Sequence, residues 1–362
     1  MIIDVHCHYT LSRRFAATGP RFSFEPQFDE MGNQELDSCV SPRVLRKGAW
    51  RLTRWCMGLD RFEVGAPLDE QVEAMYRKHL LADGPIDRYV LLAFDWYHDR
   101  QGRRLRLPET TDEFGSDIYS SNSFIRQLCR QNPERFLFGA SVHPYRPQAI
   151  DCIDEVFAAG AVLLKWLPLH QNIDISDPRT VQVLRHCAEI GLPVLVHYNE
   201  EFTLTTNHPE WQGLCPALQV LKRLGQQGYM PTTIVAHVAT PVSAIGDRVP
   251  FEQLIEAMLG DFYQAPLYAD ISALGTWGKA GFLRELVQRP DLHSRLVFGS
   301  DFPVPLGTRR FKRELRDEYT GVRAIGSWPQ RYARICQFSG LNEIVLEHAG
   351  ELLPNIPKPI ER

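Results

Sequence analysis

The sequence predicts an α/β fold, a (β/α)8 TIM barrel with an inserted cap segment after its first strand. Three observations point there. Eight short β-rich runs alternate with helical stretches along the chain. Polar side chains able to ligate metals interrupt the C-terminal ends of several of these runs. The chain has 362 residues, more than the roughly 250 of a plain barrel, and much of the surplus falls in one place. Strand–helix alternation implies parallel strands joined by right-handed crossovers. A doubly wound open sheet is the alternative, but no G-x-G-x-x-G follows the first run.

The elements follow in order. MIIDVHCH reads as strand one. LDEQVEAMYRKHLLADG (68–84) reads as a helix stopped by Gly84-Pro85, and RYVLLAFD (88–95) as strand two. A helix over 120–134, strand three in RFLFGASVHP (135–144) and a helix over 147–160 ending at Gly160 come next. AVLLKWLP (161–168) is strand four. The helix over 177–191 has an Asp cap, Pro at its first position and Gly after its end. LPVLVHYN (192–199) is strand five, TTIVAHVA (232–239) strand six, LYADISAL (267–274) strand seven and SRLVFGSDFP (294–303) strand eight, with helices over 216–228, 250–264 and 278–290 between them. The tail GLNEIVLEHAGELLPNIPKPIER reads as one closing helix ended by prolines. The segment 10–67 contains SPRVLRKGAWRLTRWCMGLDRF at helical spacing and is expected to lie over the barrel mouth. A polar insertion, WYHDRQGRRLRLPETTDEFGSD, follows strand two. One domain spanning 1–362 is expected.

Composition narrows the function. A net charge of −4 gives no general attraction to nucleic acid or anionic membrane. No run of about 18 apolar residues suggests a membrane span. The first apolar segment is too short for a signal-peptide core and no basic residue precedes it. The 8 cysteines form no C-x-x-C pair, so reduced, mostly buried thiols in a cytoplasmic protein are expected. The partner expected is a small-molecule substrate, with a homo-oligomer left open.

The histidines are the informative residues. Alternate residues of a strand face the same way, so His6 and His8 point together, Cys7 points opposite, and Asp4 shares the side of the imidazoles. Equivalent strand ends carry Lys165 (VLLKWLP), His197 (VLVHYNE), His237 (IVAHVAT) and Asp301 (VFGSDFP). Catalytic groups of such barrels sit at the C-terminal ends of the strands. Each of these residues breaks an apolar run, where an unpaired charge or imidazole is costly. A donor set of N and O without thiolate suits Zn2+, with Mn2+, Fe2+ or Co2+ as alternatives. His6, His8, His197 and Asp301 can form one mononuclear site, with His237 close by.

Together DVHCH, LLKWLP, VLVHYN, IVAHVA and FGSDFP resemble the amidohydrolase superfamily of metal-dependent barrels. The pattern is most similar to its amidohydrolase-2 branch, which includes aminocarboxymuconate semialdehyde decarboxylase-like enzymes. NPERFLFGASVHP, DPRTVQVLRHCAEIGLPVLVH and NEIVLEHAGELL share that similarity, whereas 10–67 matches no pattern of the branch. The resemblance implies His6, His8, His197 and Asp301 as metal ligands, Asp301 also as proton carrier, and His237 as a second-metal ligand or carbonyl polariser. It leaves Lys165 open: a carboxylated lysine bridging two metals, or an ordinary cation that binds substrate. One zinc ion, or two, is therefore implied. The activity implied is a hydrolase in which metal-activated water attacks an amide, lactone or ester carbonyl. The alternative is a mononuclear zinc decarboxylase or hydratase of an unsaturated or aromatic acid, which needs an arginine for the carboxylate. A TatD-like nuclease shares the DVHCH opening but carries glutamate in place of Lys165 and is shorter. Candidate substrate contacts are Trp166, His170, Glu200, His208 and Trp211, with Glu201, Gln171 and His143 at similar strand-end positions.

Overall fold

The computed structural model describes residues 1–59, 64–105, 107–110 and 112–357; part of the expected insertion, 60–63, lies outside the described residues. The strands in chain order are β1 (Ile3–His8), β2 (Arg13–Phe15), β3 (Leu36–Val40), β4 (Arg88–Leu92), β5 (Ile118–Ser120), β6 (Phe136–Ala140), β7 (Ala161–Trp166), β8 (Val194–Val196), β9 (Thr233–Val235), β10 (Leu267–Asp270) and β11 (Leu296–Val297). The eight strands read from the sequence are β1, β4 and β6–β11. They form one parallel sheet in the order β1-β4-β6-β7-β8-β9-β10-β11. The cylinder closes where Val5 N donates to Phe298 O (3.1 Å), Asp301 N to His6 O (2.8 Å) and His8 N to Phe302 O (2.8 Å). The TIM barrel is therefore the fold.

Strand alternation sorts the apolar residues into two layers. Tyr89, Leu91, Leu164, Trp166 and Val196 join the layer between sheet and helices. Val90, Leu92, Leu163, Leu195 and Ile234 fill the interior, where Ala349 and Leu353 of the tail join them. The helix Pro178–Ile190 obeys the end signals read from the sequence. The Asp177 side chain accepts from Arg179 N at the start of the helix Pro178–Ile190, and Gly191, at φ 71°, ends it in the left-handed region.

The structure corrects four expectations. First, β1 does not alternate throughout. Its register against β4 runs from Asp4↔Tyr89 to Cys7↔Leu91, so β1 spends one residue more than its partner. This β-bulge leaves Ile3 and Val5 inside and still turns His6 and His8 inward. Asp4 therefore lies with Cys7, whose Sγ donates to Asp4 Oδ2 at 3.2 Å, and not with the imidazoles. Second, the 10–67 segment holds two strands beside the stretch read at helical spacing. β2 and β3 form an antiparallel sheet with β5, and the helical stretch splits at Lys47 into Pro42–Arg46 and Gly48–Met57. Third, the tail forms two short helices, Ile344–Glu347 and Ala349–Leu352, on either side of His348. Fourth, strands five, six and eight stop short of His197, His237 and Asp301, and the chain turns sharply at the last two. His237, Val238 and Ala239 have φ of 54°, 52° and 49°, and Asp301 has φ of 60°. A β-branched residue at positive φ is an outlier, and such strain gathers at sites that surrounding structure holds in place.

Candidate metal centre

His6 anchors the centre. Its Nδ1 lies 2.8 Å from Asp270 Oδ2, and an ionised carboxylate only accepts, so Nδ1 carries the proton and Nε2 keeps its lone pair. That lone pair faces Lys165 Nζ at 3.3 Å and lies 3.5 Å from Asp301 Oδ1. His8 Nε2 is 3.3 Å from the same oxygen. One ligand atom from each of His6, His8 and Asp301 lies within 4.8 Å of the others. Close packing just after β11 makes room for this: a Cβ on Gly299 would stand 3.0 Å from His6 Cβ and 3.2 Å from Ser272 Cβ.

Asp270 also governs His237. Its Oδ1 accepts from His237 N and Ser272 N, both at 2.9 Å, and from the Ser272 hydroxyl. With its proton given to Asp270, Ser272 Oγ accepts from His237 Nδ1 at 2.7 Å. The lone pair of His237 is then on Nε2, 3.9 Å from Asp301 Oδ2. A single carboxylate thus fixes the tautomers of two imidazoles, a common arrangement around metal-ligating histidines. His6, His237 and Asp270 form a second group with ligand atoms within 4.8 Å. The His197 ring lies 5.1 Å from that of His237. Its Nε2 is 3.2 Å from Glu200 O and 3.7 Å from Glu201 Oε2, so it stands beside both groups and in neither.

The protonation states suit a cation. Burial, reinforced by Lys165, pushes the His6 imidazole well below its ordinary value. Burial and the nearby Lys279 do the same to His237. Burial alone would raise the Asp301 carboxyl, but His6, His8 and Lys165 hold it at about 2. Burial lowers Lys165 to about 8 against the pull of Asp270 and Asp301. Neutral imidazoles beside an ionised carboxylate are the forms that bind metal. The residues present fit a divalent cation, held by His6, His8 and Asp301, with His237 and His197 adjoining. A bare Lys165 ammonium cannot ligate.

These side chains open into one cavity of about 160 Å3, which His6, His8, Lys165, His197, Glu201, His237 and Asp301 help to line. The other expected contacts fall elsewhere. Trp166 alternates away from Lys165 and donates Nε1–H to Val142 O at 2.8 Å in the outer layer. Both nitrogens of His170 are occupied: Nε2 accepts from Asp117 N (3.0 Å) and Nδ1 donates to Thr205 O (2.7 Å). Glu200 Oε2 accepts from Val242 N at 3.1 Å. His208 Nε2 meets Tyr97 Oη at 2.8 Å, and Trp211 stacks under the Arg100 guanidinium. Sequence reasoning missed Asp270, Ser272 and the buried Lys279. The signal was present for Asp270, which interrupts the apolar run LYADISAL as Lys165 interrupts its own.

The family model described as Amidohydrolase matches residues 109–321. An uncharacterized TIM-barrel protein from Bordetella bronchiseptica superposes with a TM-score of 0.52 at 16% identity, covering 96% of this chain and 99% of its own. A 2,6-dihydroxybenzoate decarboxylase from Rhizobium gives 0.50 at 11% identity, covering 97% and 98%. Both similarities speak for the fold. No curated protein matches the chain in sequence. Among the described residues, no helix is long and apolar enough to cross a membrane.

Proposed function

This chain belongs to the amidohydrolase family of enzymes, and on that premise we propose that it is a metal-dependent hydrolase cleaving an ester, lactone or amide of a small organic substrate. The observation that carries the proposal is the convergence of His6 Nε2, His8 Nε2 and Asp301 Oδ1, with the His6 lone pair set free by Asp270. We assign His6, His8 and Asp301 as ligands, with His237 and His197 completing the set. Zn2+ is the cation this N/O donor set favours. When bound, it would lower the pKa of a water from 15.7 toward about 7 and act as a Lewis acid.

The chain's own residues do the rest. Asp301, ionised at neutral pH, accepts the proton of the attacking water and returns it to the leaving group. Lys165 Nζ stands 3.3 Å from His6 Nε2; with that lone pair given to the cation, its N–H groups are left for the carbonyl oxygen as negative charge develops there. His237 Nε2 carries a lone pair and serves as ligand rather than as donor to the carbonyl.

Decarboxylation is the weaker reading, because it needs a cation for the departing carboxylate. Among the described residues, Lys165 is the sole lysine or arginine lining the cavity, and no arginine stands there for a carboxylate. The test is to load the protein with Zn2+ and assay esters, lactones and anilides beside aromatic acids, with CO2 detection. Hydrolysis that disappears in Asp301→Asn is the expected result. CO2 release without hydrolysis, or activity indifferent to chelation, overturns the proposal.

A further inference from the structure

We infer that the substrate places an uncharged apolar group, a single ring or a chain of about six carbons, beside the bond that is cleaved. The inference rests on the hydrolase reading and adds the class of substrate. The cavity has two ends of different chemistry. One end is the centre described above. The remainder is built by two helices and the neighbouring loops. The helix Ala66–Leu80 turns Leu68, Val72, Met75 and Tyr76 into the cavity, at the i, i+4, i+7, i+8 spacing of one helical face. The helix Gly48–Met57 adds Trp50, Thr53 and Met57 at i, i+3, i+7. Phe94, Leu167 and Leu204 also line it.

Size and charge then limit the occupant. The volume of about 160 Å3 is close to the roughly 150 Å3 of an apolar protein cavity that accepts benzene. A second charge on the substrate would be buried here at high cost without a partner. Glu201 lines the cavity and would repel an anion, while Lys165 is taken up by the reacting carbonyl and Asp301 by the cation. The 10–59 part of the chain and the helix Ala66–Leu80 thereby share the wall that selects substrate.

The experiment separates binding from turnover. Metal-free protein is titrated with toluene and with benzoate by calorimetry. Zn2+-loaded protein is assayed on phenyl acetate, 4-carboxyphenyl acetate and 1-naphthyl acetate. Toluene binding, together with a kcat/KM at least about tenfold higher for phenyl acetate than for its carboxylated analogue, is expected. Trp50→Ala removes a half-buried ring from the wall, so it is expected to raise the naphthyl-to-phenyl ratio of kcat/KM about tenfold. No toluene binding, a preference for the carboxylated ester, or an unchanged ratio in Trp50→Ala overturns the inference and leaves the hydrolase reading in place. Toluene binding with no ester, lactone or anilide turned over supports the apolar cavity and sinks the hydrolase reading.

Discussion

Asp270→Asn replaces one oxygen by nitrogen at the acceptor shared by His6 and Ser272. Oδ1 takes His237 N, Ser272 N and the Ser272 hydroxyl, so the amide oxygen stays there and the NH2 replaces Oδ2. His6 Nδ1, 2.8 Å away, would then meet a donor, and the ring must move its proton to Nε2. That is the atom aimed at Asp301 and Lys165, and a protonated nitrogen cannot ligate. Losses of this kind in the surroundings of a metal ligand cost 10–100-fold in affinity, or about 1.4–2.7 kcal/mol. The metal-free protein also loses a buried hydrogen bond to a charged group, about 1.5–3 kcal/mol of stability. Competition for Zn2+ against a chromophoric chelator measures the first effect, and thermal unfolding of metal-free protein the second. A variant that stays folded and binds Zn2+ as tightly as the parent would refute the assignment of His6 Nε2 as a ligand.

Three further outcomes are expected. Asp301→Asn should lower kcat by at least about a hundredfold, the usual scale for a lost acid–base group, and chelation followed by Zn2+ should silence and restore the parent but not rescue the variant. His170→Ala strands Asp117 N in the interior and frees the part-buried Thr205 O, so it should cost about 1–3 kcal/mol for the first; at temperatures where the variant stays folded, an altered KM would show that His170 touches substrate after all. Burial, with Lys78 and Arg331 nearby, lowers His79 from 6.5 to about 4, and its neutral Nδ1 accepts from Trp328 N. Between those values the unfolded chain takes up a proton that the folded one refuses, so stability is complete above pH 6.5 and declines as pH falls toward 4, by up to about 3 kcal/mol; urea titrations of His79→Asn should show a flatter pH dependence than the parent, and parallel curves would contradict this.

The barrel was legible because eight alternations of strand and helix leave few architectures, and because ends such as Asp177-Pro178 and Gly191 are written in local chemistry. His6, His8, Lys165, His197, His237 and Asp301 were legible as polar interruptions of apolar runs, and they line one cavity. Asp4 was misplaced because periodicity cannot register the extra residue between Asp4 and Cys7. Trp166 was drawn to the site by adjacency to Lys165, although strand alternation sends it to the other face. His170, His208 and Trp211 follow strand ends in the chain, but where a loop residue points depends on distant partners such as Asp117 and Tyr97. β2, β3 and β5 were illegible for a related reason: Arg13–Phe15 and Ile118–Ser120 are three residues each, too short for a period, and β5 pairs with β3 from about 80 positions away.

The extra residue in β1 has a consequence for how the protein can vary. A regular pleat of six residues offers three side chains to the interior; β1 offers four, two for the dry floor and two for the wet rim. Val5 can exchange for another aliphatic residue at little loss, whereas deleting it forces a choice between floor packing and the chelating pair. At this edge of the molecule, chain length is guarded more strictly than chemical identity.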